Sequence, residues 1–370
     1  MFCDLIFVMK EKVGIGIIGT GFARRVQIPA FLTCENARIV SVASGHAANA
    51  ESTAREFGIG HFTDDWRQTV ENENVDLVCL TTPPDTHFKM ALTAIEAGKN
   101  VLCEKPMAMS VSEAEAMTEK AKEKSVLALI DHELRFLHGR RKAFEILRSG
   151  TIGKIRHAKA NFRAPHRGDV ASPWNWWSDK AAGGGALGAI GSHIIDSLNW
   201  FLDAEISEVF CQLQTHIKQR KDSKTNELRD VTTDDEANLI VRFADGDLTA
   251  DATGSISISM TEYPKYQNRM EFFGSQGALR VEARGEVFLG KADSKDWAEI
   301  ETDLGKNVEG VPDTGFARGF MNFAPEIVAA ILEGKNEIEN AATFEDGVKV
   351  QKILDAAHES NETGCLVKIS

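Results

Sequence analysis

The chain has only two tyrosines, Tyr263 and Tyr266, and neither has a lysine four residues downstream. A Y-x-x-x-K site of the short-chain dehydrogenase type is therefore excluded. No G-x-x-x-x-G-K-[ST] run occurs, so a P-loop nucleotidase is not indicated. Asp131-His132-Glu133 lacks the second histidine of H-E-x-x-H. The six cysteines (Cys3, Cys34, Cys79, Cys103, Cys211, Cys365) contain no C-x-x-C pair. With no Cys/His cluster at zinc spacing, no metal is expected. Positive charge is also short, with 42 basic against 55 acidic residues and a net charge of −13. That balance argues against a nucleic-acid partner. No apolar stretch reaches the ~20 residues that span a bilayer, so no membrane partner is expected. The opening MFCDLIFVMK has no basic leader or small-residue cleavage site and reads poorly as a signal peptide, with Met9 as an alternative start. Scattered cysteines favour a reducing compartment, and a cytoplasmic location is expected.

What is present is a globular mix, 43% hydrophobic and 26% charged over 370 residues, long enough for two cores. Apolar runs at 13–18, 37–43, 75–81, 100–103 and 125–130 read as strands covered on both faces of a parallel sheet. Helical segments alternate with them. Asp64 is placed to cap 65–71, Asp85 or Thr86 to cap 87–97 with Gly98 as the stop, and Ser110 with Glu113 to box the start of 111–124. This alternation predicts a doubly wound α/β domain over 10–133. After a helix at 139–149 the pattern turns to strands at 157–163, 207–215, 236–243, 247–259, 269–275 and 277–283. A second, α+β domain on an open, mostly antiparallel sheet is expected over 134–370. The charged stretch 218–235 reads as a solvated loop. Amphipathic helices at 316–333 and 345–359 close the chain, the last started by Thr343 with Asp346.

The first strand runs into Gly19-Thr20-Gly21-Phe22, which opens a helix. Gly19 permits a tight turn, and Gly21 lets a pyrophosphate approach backbone N–H groups at the helix N-terminus. A nicotinamide dinucleotide is the cofactor this arrangement suggests. The third fingerprint position holds Arg24 instead of a small residue. The second strand ends in Ser44-Gly45-His46, without the carboxylate that usually holds an adenosine ribose. Ser44, His46 and Arg24 are placed to meet a 2′-phosphate, which favours NADP over NAD.

Residues 81–110, with Thr82-Pro83-Pro84, His87, Ala97-Gly98-Lys99 and Glu104-Lys105-Pro106, resemble the signature of the glucose–fructose oxidoreductase / inositol dehydrogenase / MocA family. The likeness continues through His132, Arg135-Phe136, Gly150-Thr151-Ile152-Gly153 and the run Gly183-Gly184-Gly185 to Gly191-Ser192-His193-Ile194-Ile195-Asp196. It implies a Rossmann-type first domain. It places Thr82, Pro83, His87, Glu104 and Lys105 beside the cofactor, with Lys105 also at the reacting hydroxyl. An ammonium at the carboxyl edge of the sheet suits stabilisation of a developing alkoxide. The resemblance also makes His193 the group that exchanges the hydroxyl proton, a task that fits an imidazole of pKa near ~6.5. Many members carry aspartate where this chain has Ala189, one helical turn before His193. Asp196 could instead orient the histidine, or cap or solvate its helix. Arg163, Trp176 and Trp177 are candidate substrate contacts, through guanidinium pairing and stacking on sugar C–H groups.

The expected activity is hydride transfer between the nicotinamide and a secondary hydroxyl or carbonyl of a sugar, polyol or related metabolite. Ala189 motivates a second reading, a non-catalytic NAD(P)-binding regulatory protein of the same fold. Resemblance to the family also implies a homodimer or homotetramer paired through the open sheet.

Overall fold

A computed structural model describes residues 11–223, 225–305 and 308–369; Cys3 and Met9 lie outside the described residues. Six short strands form the first sheet: β1 (Val13–Ile18), β2 (Ala37–Ala43), β3 (His61–Thr63), β4 (Leu77–Leu80), β5 (Asn100–Cys103) and β6 (Ala128–Ile130). All pairings are parallel, in the order β3-β2-β1-β4-β5-β6. The apolar runs are continuous because both faces are covered. Leu77 and Cys79 join one buried cluster, while Val78 and Leu80 join another across the sheet. Strand order reverses between β1 and β4, and a crevice at that switch point is where open α/β sheets bind ligands.

The second sheet uses β7 (Ile155–Arg163) and β8 (Ile206–Gln214), β11 (Glu236–Phe243) to β16 (Ala298–Ile300), and β17 (Val367–Lys368); between β8 and β11 lies a separate ribbon of β9 (Gln219–Lys221) and β10 (Leu228–Asp230). The intervening strands are β12 (Thr249–Ser259), β13 (Gln267–Gly274), β14 (Gly277–Val281) and β15 (Val287–Lys291). Its order is β16-β15-β14-β13-β7-β12-β11-β8-β17, antiparallel except where β7 meets β12. The strands alternate as half-covered strands should. Ala237, Leu239, Val241 and Phe243 face a core shared with the helices His138–Arg148, Ser192–Leu202 and Phe344–Thr363. On the opposite face Ile240 and its cross-strand partner Phe210 are exposed.

Four details differ from the sequence expectations. Neither Asp85 nor Thr86 caps the helix His87–Glu96 with its side chain; the Thr86 hydroxyl turns back to Thr82 and the Pro83 carbonyl. Asp65, not Asp64, caps the helix Trp66–Glu71 by accepting from Arg67 N at 3.1 Å. Ser110 caps Glu113 N, but the Glu113 carboxylate reaches back to Met109 N at 3.0 Å, one residue short of a closed box. The segment 218–235 is not simply a solvated loop. It contains the ribbon, and Arg220 is fully buried, donating to the carbonyls of Arg167, Asp169 and Ser172. A guanidinium has five donors, so one side chain can pin a whole loop of carbonyls.

The helix Gly315–Leu332 does not stay with the second sheet. Ala317, Phe320, Phe323 and Ile327 pack with Val13, Ile15 and Ile17 beneath the first. Phe22 of the glycine turn meets Phe320 edge-on, with ring centroids 6.5 Å apart. Among the described residues no helix is long and apolar enough to cross a membrane.

Candidate active site

The glycine turn sits at the carboxyl end of β1. Gly19 has φ 102°, and a Cβ there would lie 2.5 Å from the Thr81 carbonyl oxygen, so only glycine fits. Gly21 is exposed, with open space where a Cβ would stand, which leaves its backbone approachable. Thr20 and Phe22 are half-buried around it. These features fit a dinucleotide pyrophosphate. Arg24 turns away from the strand: its Nε donates to Glu56 at 2.6 Å and its Nη1 to Ser52 at 3.3 Å. Small, fully buried Ala23 occupies the packing position beside it. Ser44 is half-buried and His46 exposed, joined by a 3.4 Å contact from His46 N to Ser44 Oγ.

Thr82 and Pro83 follow β4 and are half-buried at the same edge. His87 is different. It is fully buried, with Nδ1 3.0 Å from the Pro106 carbonyl and Nε2 2.9 Å from the Thr82 carbonyl. Both ring nitrogens are engaged with main chain, so His87 braces the two segments that line the crevice and presents no ring atom to a ligand.

Glu104 and Lys105 continue from β5, and Asp131-His132-Glu133 from β6, with Glu104 N bonded to Leu80 O and Asp131 N to Cys103 O. Neighbouring parallel strands thus deliver five polar residues to one edge. Lys105 Nζ lies 3.3 Å from Glu104 Oε2. Gln27, from the helix after the glycine turn, donates to Asp131 Oδ2 at 2.7 Å and to Glu104 Oε1 at 3.3 Å. Burial pulls the Lys105 ammonium down, but Glu104, Glu133 and Asp131 outweigh it and hold its pKa above the usual value. Burial pushes Asp131 and Glu133 well up. Each is raised further by Glu104, and Asp131 also by Glu133.

His193 reaches this edge from the helical segment Leu187–Leu202, whose start is capped by Asp234 Oδ2 accepting from Leu187 N at 2.7 Å. The preceding glycines allow the approach. Gly183 has φ 80°, and its Cβ would stand 2.6 Å from Pro84 Cβ, which brings this loop onto the cofactor edge. His193 is 3% exposed. Its Nδ1 is 3.3 Å from His132 Nδ1 and 3.9 Å from Glu133 Oε2. Burial, then Lys105, His132 and Arg140, hold its pKa well below the usual value. The fold therefore brings Lys105 and His193 into one charged cluster. Ala189 is buried and apolar. Asp196 does not touch His193; it is clamped by Arg135, Nε to Oδ2 at 2.9 Å and Nη2 to Oδ1 at 2.5 Å.

The substrate candidates are placed less centrally. Arg163 donates to the Ser257 carbonyl at 2.7 Å and pairs with Glu262 at 2.5 Å. Trp176 and Trp177 lie half-buried on a short turn, ring centroids 5.8 Å apart, and their carbonyls crowd the Cβ position of Gly184 at 2.6 and 2.4 Å. Sequence reasoning assigned no role to Gln27, Asp131, His132, Glu133, Arg135 or Arg140. The signal was present for three of them: Asp131-His132-Glu133 directly follows an apolar strand, at the carboxyl edge where Lys105 also lies.

Residues 13–132 match the family model described as an oxidoreductase family with an NAD-binding Rossmann fold. Residues 140–280 match the GFO/IDH/MocA C-terminal domain. An uncharacterised oxidoreductase of Synechocystis is 30% identical over 271 residues, covering 73% of this chain and 71% of that protein. Levoglucosan dehydrogenase of Pseudarthrobacter phenanthrenivorans is 28% identical over 95% of this chain and 96% of its own. A levoglucosan dehydrogenase solved in complex with NADH and levoglucosan superposes with TM-score 0.86 at 26% identity, covering 97% of this chain and 99% of that one. An oxidoreductase domain protein from Kribbella flavida gives TM-score 0.85 at 29% identity over the same shares.

Proposed function

The chain belongs to the GFO/IDH/MocA family of NAD-binding Rossmann oxidoreductases, and from that premise we propose that it oxidises a secondary hydroxyl of a sugar or polyol. The observation that carries this reading is the shared cluster of Lys105 and His193 at the carboxyl edge of β5 and β6. A nicotinamide dinucleotide bound there would supply the hydride acceptor. Lys105, kept charged by its carboxylate neighbours, donates to the substrate oxygen and stabilises the charge that develops on it. His193, kept neutral by burial and nearby cations, accepts the hydroxyl proton. Gly19, Thr20, Gly21 and Phe22 hold the pyrophosphate, with Thr82, Pro83 and Glu104 bordering the nicotinamide half. His87 acts behind them as a brace. Trp176 offers a flat apolar face to sugar C–H groups, and Trp177, packed on the second core with Arg167 over its ring, supports it. Arg163, paired with Glu262 and bordering a separate cleft with Tyr263 and Tyr266, is given no substrate contact.

At the adenosine end Ser44 and His46 border the ribose. The guanidinium of Arg24 pairs with Glu56 and is neutralised there, which weakens the case for a 2′-phosphate. The levoglucosan dehydrogenase complexes hold NADH. NAD is therefore our choice over NADP. Residues 10–133 bind the dinucleotide, and 134–370 supply the substrate wall and the pairing surface, apart from the helix that returns beneath the first sheet.

The test is turnover by purified protein across a sugar and polyol panel with NAD or NADP, followed at the nicotinamide absorbance. We expect turnover with NAD, and a loss in kcat of about 10²–10⁴-fold in Lys105→Ala and in His193→Ala. Unchanged rates in both variants would overturn the assignment. Binding of cofactor without turnover on any panel member would favour the regulatory reading.

A further inference from the structure

Resting on the reading above that His193 handles the hydroxyl proton, we infer that the chain Arg135–Asp196–His132 is a positioning device. It holds His193 in the tautomer that carries its proton on Nδ1 and leaves Nε2 bare, so that the site is built for alcohol oxidation.

His132 Nδ1 and His193 Nδ1 lie 3.3 Å apart. Two like nitrogens at hydrogen-bond distance need one proton between them, so one ring donates and the other accepts. Which ring donates is decided by what faces the remaining nitrogens. His132 Nε2 is buried with no hydrogen-bond partner, and a carboxylate oxygen, Asp196 Oδ1, lies 3.9 Å away. That distance is too long for a hydrogen bond, but both groups are buried and their interaction is screened less than it would be at the surface. A lone pair on Nε2 facing a carboxylate is repelled; an N–H there is attracted. Asp196 cannot swing away, because Arg135 grips both of its oxygens. The proton of His132 therefore sits on Nε2, its Nδ1 is left as an acceptor, and His193 must donate from Nδ1.

Glu133 Oε2, buried and also without a hydrogen-bond partner, lies 3.9 Å from Nδ1 of His193, but burial pushes that carboxyl toward protonation, so the assignment rests on Asp196 and its pairing with Arg135. The cations around the pair oppose a second proton on either ring. Burial disfavours a charged form of either ring, and Lys105 and Arg140 add to this at His193, as Arg135 and Lys105 do at His132, where Asp346 pulls the other way. Both rings stay neutral, one proton is shared, and its place is fixed. Among the described residues, Nε2 of His193 makes no hydrogen bond. In the assigned tautomer that atom accepts a hydroxyl proton; in the opposite tautomer it could only donate one. Ala189 offers no polar atom to orient the ring from its own helix, so the orientation comes from the segment after β6.

The experiment is long-range proton–nitrogen correlation NMR on the full chain labelled with ¹⁵N-histidine. The His132 and His193 signals are identified from the spectra of His132→Asn and His193→Asn. We expect a protonated Nδ1 and bare Nε2 on His193, and a protonated Nε2 on His132. A protonated Nε2 on His193, or averaging of its two tautomers, overturns the inference. This arm uses the wild-type chain and needs no substrate. If no alcohol is oxidised, the functional reading fails while the tautomer result still decides this one. The kinetic arm compares His132→Asn, whose amide oxygen can accept from His193 Nδ1, with His132→Phe, which cannot. His132→Phe should lose kcat for oxidation by about 10²-fold or more with little change in KM, and His132→Asn should regain at least about tenfold of that loss. Equal kcat in the two variants contradicts a positioning role.

Discussion

His193 and Glu133 meet at 3.9 Å with opposite pressures on their protons: the imidazole is pushed toward neutrality and the carboxyl toward protonation. Burial dominates both shifts, since removing water disfavours whichever form is charged. A catalytic base whose pKa lies well below ~6.5 remains in its accepting form throughout the neutral range. The pH profile of kcat/KM for alcohol oxidation should therefore stay flat down to about pH 6.5 and fall only below it. An acid limb centred at or above that value would contradict the burial of His193. The linked effect on stability has the same sign. The unfolded chain takes up a proton at His193 near ~6.5 while the folded chain does not, so stability is lost as pH falls below that point. Asp131 and Glu133 act in reverse. Their raised pKa values give stability that is fully present below ~4 and fades as pH rises through the folded values. At this scale much was legible. Gly19, Lys105 and His193 were found by motif. His87 belonged to the same motif, yet its brace role depends on two carbonyls 5 and 19 residues away in the chain. The His132–His193 contact spans 61 residues, and no spacing rule reaches across that.

Among the elements, strands with continuous apolar runs were read most accurately: β1, β2 and β5 begin and end where the sequence pattern does. β3 was missed because His61–Thr63 is three residues long and only Thr63 is buried. The helix Gly315–Leu332 was found, but its destination was not. An amphipathic stripe says that one face is buried and does not say against which sheet. Its aromatic stripe lies under β1, with Phe136 stacked on Phe323 at 4.0 Å and Phe31 edge-on to Phe320 at 5.5 Å. Phe323→Ala would open a cavity in the core of the dinucleotide-binding half, so it should cost about 3–5 kcal/mol. Denaturant unfolding at neutral pH checks the magnitude, and cofactor titration near the midpoint checks the location. A stability loss well under 1 kcal/mol would contradict the packing described for this helix.

At the scale of the whole molecule, a buried polar cluster gathers between the first sheet's carboxyl edge and a helix packed on the second sheet. One sheet contributes the carboxyl ends of β4, β5 and β6; the helical segment Leu187–Leu202 on the inner face of the other contributes His193. The outer face of the second sheet carries the adjacent pair Phe210 and Ile240, 39% and 63% exposed. Two apolar side chains paired across neighbouring strands suit a surface covered by a second copy. We propose a homodimer through this face, which a homotetramer would extend. Light scattering should give at least twice the monomer mass of 40.6 kDa for the wild type, and Ile240→Asp should shift it toward monomer. A monomeric wild type contradicts the proposal.

The proposed chemistry requires Lys105 and His193 to act on one oxygen. A crystal structure of the chain with oxidised cofactor and a bound polyol reads this directly. We expect Lys105 Nζ and His193 Nε2 both within about 2.6–3.2 Å of the hydroxyl whose carbon faces the nicotinamide ring. A substrate hydroxyl seated on the ring with either side chain out of hydrogen-bond reach would contradict it.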